Sequence, residues 1–383
     1  MYIKNGLVFT ENYQFSQQDL LIEDGRIAEI LPAGSRKFLT NSTTHVIDAE
    51  NCFVLPGFVD IHSHGALNMD LCDADPGGIE AILAYNAAQG VTTILLATLS
   101  LPKQVLGNAI ETALPYINKE GYGAVLRGFN MEGPFISTAK RGAQNPDFII
   151  PPNLDFFFEL YDLAQGQILL LDLAPEVEGS LDFIRETSKK CTISLAHSSA
   201  SYNEAITAFD AGASHVTHLF NGMTGFTHQE PGVVGAAAEL ASYVELISDG
   251  FHVHPAAVRA VFSWFGKNRI CLISDSMRAT GMPNGAYDLG GQTIRVENGK
   301  AFLSKDGYYS IAGSVTNLSD MCRRAIQFGV SLEAALQAAT INPAIAVGLD
   351  SEIGSISKGK RADIQLWEKD YRTRAVIVGG KIL

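Results

Sequence analysis

The chain has 383 residues, 46% hydrophobic and 18% charged, a composition that excludes a mainly disordered polymer and suffices for a large core. Its net charge of −13, from 28 Lys and Arg against 41 Asp and Glu, argues against a nucleic-acid partner or an anionic membrane surface. No segment reaches the ~18 apolar residues of a membrane span, the first residues do not read as a signal peptide, and five scattered cysteines without a C-x-x-C suit a reducing cytoplasm.

In chain order, residues 1–53 predict short strands: an apolar run at 7–10, then 20–30 broken by Asp24-Gly25, a hairpin signal. Over residues 54–349 a unit repeats: an apolar strand, a polar loop, then an amphipathic stretch of helical length. Eight strands are predicted, at 54–61, 92–97, 124–130, 167–173, 192–196, 214–217, 243–247 and 269–273. Buried parallel strands need nearly continuous apolar runs separated by helices, so the expected fold class is α/β, a (β/α)₈ TIM-like barrel. A doubly wound open sheet is the competing arrangement. Residues 284–310, rich in glycine and β-branched side chains, predict a hairpin excursion near the site. Residues 350–383 return to strands at 362–367 and 374–378 and, with 1–53, predict a small β-sandwich domain built from both termini.

The chemistry-bearing residues fall at the predicted strand ends. In Asp60-Ile61-His62-Ser63-His64, period-two alternation turns both imidazoles to one face, which in a barrel is the lumen. Glu132 follows the third strand before Gly133-Pro134, His197 closes the fifth and His218 the sixth. Two histidines and a carboxylate from three strand ends suit a catalytic metal with open positions for water and substrate; the competing reading of each alone is a capping or core role. His215, three residues before His218, is expected to face away from the lumen, and His254 to cap or pack a helix. Asp275 ends the eighth strand, where a carboxylate is a natural general base, against the alternative of a helix N-cap. His252 follows the seventh and is placed to polarise a carbonyl or hold a substrate oxygen. Lowering the pKa of water from ~15.7 to ~7 amounts to roughly 12 kcal/mol, which a metal supplies and one aspartate does not.

With these motifs in hand, the chain resembles the N-acetylglucosamine-6-phosphate deacetylase family of the amidohydrolase superfamily, which has a close relative acting on N-acetylgalactosamine 6-phosphate. The resemblance runs from Pro56-Gly57-Phe58-Val59-Asp60 through Glu132-Gly133-Pro134, Ala196-His197-Ser198, His218-Leu219-Phe220-Asn221-Gly222-Met223, Glu230-Pro231-Gly232, Asp249-Gly250-Phe251-His252-Val253 and Ser274-Asp275 to Ala312-Gly313-Ser314. It implies a cytoplasmic hydrolase that releases acetate from an amino-sugar phosphate. It also implies one or two divalent metals, zinc or iron, on Glu132, His197 and His218, with His62 and His64 serving a second ion and Glu132 bridging. Asp275 is the implied acid and base. Substrate contacts are implied at Asn221, Gly222, Gln144, Gln229, His252 and Ala312.

Two departures bear on the phosphate. Gln144 stands where the family usually has histidine. Gln229 replaces the arginine that reaches the phosphate of the neighbouring subunit, on which the expected homodimer rests. Loss of such a charge-assisted bond, ~1.5–3 kcal/mol, weakens binding roughly ten- to a hundredfold unless Lys140, Arg141, His228 or Arg278 replaces it. A second reading therefore keeps the deacetylation but with an unphosphorylated N-acyl substrate. A third, a catalytically silent sugar-binding barrel, sits poorly with a complete ligand and base set.

Overall fold

The computed structural model describes residues 1–35, 45–305 and 307–383. Eight parallel strands follow one another in a single sheet in chain order: β1 (Phe58–Ser63), β2 (Val91–Ala97), β3 (Val125–Glu132), β4 (Ile168–Leu173), β5 (Thr192–Leu195), β6 (His215–Val216), β7 (Tyr243–Leu246) and β8 (Ile270–Leu272). The edges meet through the parallel bridge of Ser63 with Ser276 and the Asp275 N–H donated to the His62 carbonyl (2.9 Å), so the sheet closes into the (β/α)₈ barrel. Alternation sorts the side chains. Val59, Ile61, Phe129, Met131, Ile193, Leu195 and Val216 join the apolar core, while the residues between them carry polar groups inward.

Helices cover the outside. Pro76–Ala88 is started by Asp75, whose carboxylate accepts from the Gly77 and Gly78 amides. Tyr202–Ala211 begins in a capping box of Ser201 and Glu204. Pro255–Phe265 is capped by His254, whose Nδ1 accepts from the Ala256 amide. Among the described residues no helix is long and apolar enough to cross a membrane.

The predicted strand 54–61 is two strands. Phe53–Pro56 pairs with Tyr2–Phe9 and Ile364–Trp367 in a second sheet, and the barrel starts only at Phe58. Gly57 makes the crossing, where a Cβ would lie 2.1 Å from Thr92 Oγ1. Apolar runs on both sides of that glycine concealed the change of sheet.

Among the described residues the second sheet has eight strands from both chain ends, with Arg26 bridged to Arg361, and encloses a core that includes Ile3, Val8, Leu20, Ile22, Val54, Ile364 and Ile377. The predicted excursion at 284–310 is a four-stranded antiparallel sheet, Gly285–Leu289, Gln292–Glu297, Lys300–Lys305 and Tyr308–Ile311.

Candidate active site

A cavity of about 270 Å³ opens at the carboxyl ends of the barrel strands. Its floor holds His64, Glu132, His197, His218 and Asp275; Leu99, Phe220, Met277, Leu289 and Ile311 supply an apolar wall. Glu132 is the meeting point. Its Oε1 lies 3.1 Å from both His197 Nε2 and His218 Nε2 and 3.6 Å from His62 Nε2, while its Oε2 lies 3.5 Å from His64 Nε2. Asp275 Oδ1 is 3.7 Å from His62 Nε2 and 3.4 Å from His64 Nε2. Two groups of ligand atoms result, His62 with His64 and Glu132, and Glu132 with His197 and His218, each with its atoms within 4.8 Å of one another.

His197, His218 and Asp275 have φ of 45°, 29° and 45°. Left-handed backbone at non-glycine residues costs of order 1–3 kcal/mol each, and its recurrence at three strand ends marks side chains aimed by their surroundings. At His218 the kink also overturns a simple parity argument. His215 was expected to face away from the lumen, but its Nδ1 is 2.9 Å from Ser194 Oγ, which contacts Thr217 Oγ1, which donates to Asp172 in the barrel interior. His215 and Thr217 share the inward face by alternation, and His218 enters the site because the strand bends.

The histidine tautomers test whether a cation fits. His197 Nδ1 is 2.8 Å from the Lys140 carbonyl, and His62 Nδ1 is 3.0 Å from Glu245 Oε2. Both Nδ1 atoms must donate to these acceptors, so in neutral rings the Nε2 lone pairs face Glu132. His197 Nε2 and His218 Nε2 are only 3.2 Å apart. Lone pairs and a carboxylate crowded this closely repel unless a cation lies among them. Burial alone would lower His62, His64 and His197, yet the surrounding carboxylates hold all three above the ordinary histidine range. The same field favours a divalent ion, which takes the place of those protons.

Two carboxylates that the sequence left without a role orient the histidines. Glu245, fully buried on β7, contacts His62 and accepts from the His218 amide (3.1 Å), tying together the two ligand groups. Its signal was a lone carboxylate in an otherwise apolar strand. Asp249 meets His252 Nδ1 at 2.7 Å and accepts its backbone N–H at 2.8 Å. Burial would raise Asp249, but His252 holds its carboxyl below the usual range.

The remaining expected site residues are dispersed. Asn221 and Gly222 line the cavity, with the Asn221 amide donating to the His218 and Leu219 carbonyls. Gln144 lines it too, with both ends of its amide engaged by Ser100 and Glu132. Ala312 is buried between two cavity-lining neighbours, Ile311 and Gly313. Gln229 and His228 are exposed in the loop after Gly222 and do not line the cavity. Of the cationic candidates, Arg278 is paired with Asp73 (2.7 Å), and the Arg141 guanidinium lies over the Tyr308 ring at 4.2 Å.

The model of the family described as "Amidohydrolase family" matches residues 53–383. N-acetylgalactosamine-6-phosphate deacetylase of Escherichia coli O157:H7 is 32% identical over 98% of this chain and 97% of its own. N-acetylglucosamine-6-phosphate deacetylase of Bacillus subtilis is 32% identical over 100% of this chain and 96% of its own. A solved structure of a mutant N-acetyl-D-glucosamine-6-phosphate deacetylase from Mycobacterium smegmatis, in complex with N-acetyl-D-glucosamine-6-phosphate, is similar with a TM-score of 0.91. It has 29% identity and covers 100% of this chain and 98% of that one.

Proposed function

The chain belongs to the amidohydrolase family, and from that premise we propose that it is a metal-dependent deacetylase of N-acetyl-D-glucosamine 6-phosphate, yielding D-glucosamine 6-phosphate and acetate. The observation that carries the reading is the convergence of four histidine Nε2 atoms on Glu132, with Asp275 beside two of them, at the floor of one cavity. Glu132, His197 and His218 would hold the main ion, and His62 and His64 a second, with zinc or iron as the expected metals. A divalent metal bound there acidifies water and polarises the acetamide carbonyl.

Asp275 carries the proton. Burial would raise its carboxyl, but the positive charge on His64 and His62 holds it below the ordinary range, and a cation in place of those protons would act in the same direction. It takes the proton of the attacking water and delivers it to the amine nitrogen, which leaves poorly as an anion. His252, its Nδ1 committed to Asp249, has Nε2 left to meet a substrate oxygen. Asn221 and Gly222 border the sugar, and the apolar wall of Leu99, Met277 and Ile311 suits the acetyl methyl and excludes water.

The phosphate takes its positive partner from Lys140 or Arg141, which immediately precede the cavity-lining Gly142, since Gln229 offers no charge. The subunits pair as a homodimer, as the family resemblance implies. Five unpaired cysteines fit the reducing cytoplasm in which we place the enzyme.

The test is acetate release from N-acetylglucosamine and N-acetylgalactosamine, each with and without the 6-phosphate, by protein loaded with zinc or iron. Turnover of the phosphorylated gluco sugar is expected. Turnover of the galacto epimer alone would move the assignment to that substrate, and indifference to phosphate would remove the phosphate from the reading.

A further inference from the structure

We propose that Gln144 is a positioning residue that weakens metal binding at the His62 and His64 half of the centre, so that the two ions are held in unequal steps. The inference rests on the metal-dependent reading above and concerns how this chain loads its ions.

The geometry fixes which end of the amide faces the site. Ser100 donates its buried backbone N–H to Gln144 Oε1 at 2.7 Å. An N–H requires an acceptor, so the amide cannot be turned over without two donors facing each other. Its Nε2 therefore points at Glu132 Oε2, 2.5 Å away, and donates to it. Gln144 offers the centre a donor and no ligand atom.

That donor falls on one oxygen only. Glu132 Oε1 faces His197 and His218, each at 3.1 Å, and His62 at 3.6 Å, whereas Oε2 is the oxygen nearest His64, at 3.5 Å. A carboxylate oxygen has two acceptor positions, and on Oε2 one is taken by a neutral amide that draws charge from it. An ion drawn to His64 then meets in Oε2 a poorer ligand than Oε1 presents to His197 and His218. Asp275, 3.4 Å from His64, supports the same half, and the Gln144 amide opposes that support.

The donor is held in place from outside the barrel. Gln292 Nε2 donates to the Ala143 carbonyl at 2.6 Å, and the Tyr308 hydroxyl donates to the Gly142 carbonyl at 3.0 Å. Both residues belong to the four-stranded sheet over the site. Gly142 has φ +59°, and a Cβ there would lie 3.2 Å from His197 Cε1, so the segment passes against a ligand imidazole with no room to swing inward.

The experiment is zinc titration of the full chain against a competing chelator, with metal content measured after dialysis. The parent, Gln144→Leu, Gln144→Glu and His64→Ala are compared, the last identifying the step that belongs to the His62 and His64 half. Gln144→Leu removes the donor, and that step tightens about tenfold while the other stays nearly constant. Gln144→Glu keeps an acceptor for Ser100 and adds a ligand oxygen, so the same step tightens more. Unchanged or weaker binding at that step in both variants overturns the inference, as do equal changes at both steps. A parent that takes up no zinc overturns the metal reading itself, a result distinct from metal binding that is indifferent to position 144.

Discussion

Asp275 and Glu245 differ in what they touch. Asp275 reaches the cavity and carries a proton in the proposed reaction, so Asp275→Asn is expected to lower turnover by roughly 10²–10⁴-fold while zinc content, measured by elemental analysis, stays near that of the parent. A variant that loses activity only in proportion to lost zinc would assign Asp275 to metal binding instead. Glu245 never meets substrate; it holds the His62 ring so that Nε2 faces Glu132. Glu245→Gln is expected to weaken zinc affinity by about 10–100-fold with a smaller change in KM. The difference in legibility follows. His62 and His64 were readable from strand periodicity, and Glu132, His197, His218 and Asp275 from their positions at predicted strand ends, without knowledge of neighbours. Glu245 was hidden because its role depends on which residue lies across the lumen, and a one-dimensional pattern does not contain that pairing. Gln229, which the resemblance assigns to the phosphate of a neighbouring subunit, lies exposed and outside this chain's own cavity.

At the scale of elements, strand spacing was legible where runs are long and apolar and failed where one run serves two sheets. The segment around Gly57 is continuous in hydropathy, yet pairing changes from the terminal sheet to the barrel within two residues. The bend at His218 was equally invisible, since positive φ at histidine has no sequence signature. Gly128 on β3 shows what such close approaches demand. A Cβ there would lie 2.6 Å from the Gln167 carbonyl oxygen and 2.8 Å from Leu169 Cγ. Backbone on the adjacent strand cannot retreat without breaking the pairing of Phe129 and Asn130 with β4. Gly128→Ala is expected to destabilise the fold by about 1–3 kcal/mol, read as a lower urea midpoint with an unchanged m-value. Since β3 ends at Glu132, the same variant should also loosen zinc.

At the scale of the whole molecule, the terminal sheet and the barrel share a core. Trp367 lies on a strand of the terminal sheet but is fully buried in the barrel's apolar cluster, edge-on to Phe58 at 5.5 Å and beneath the Arg323 guanidinium at 5.0 Å. Trp367→Ala is therefore expected to cost about 3–5 kcal/mol and to lower one common transition, seen alike by circular dichroism and calorimetry. Two separated transitions would mean that the sheets unfold independently. The ligand residues stand in a different relation to stability. None of them belongs to the apolar cluster, so the barrel has its main cohesion without an ion. Yet Glu132, Glu245 and Asp275 are all buried within the barrel or at its mouth, and a cation offsets charge that is costly to keep from water. Removing metal with a chelator should accordingly leave a single cooperative transition at a lower temperature. For an ion present at 100 times its Kd the loss is about 2.7 kcal/mol, and it should be recovered when zinc is restored. A midpoint indifferent to chelation, in protein shown to contain metal beforehand, would place that metal somewhere other than among these buried groups.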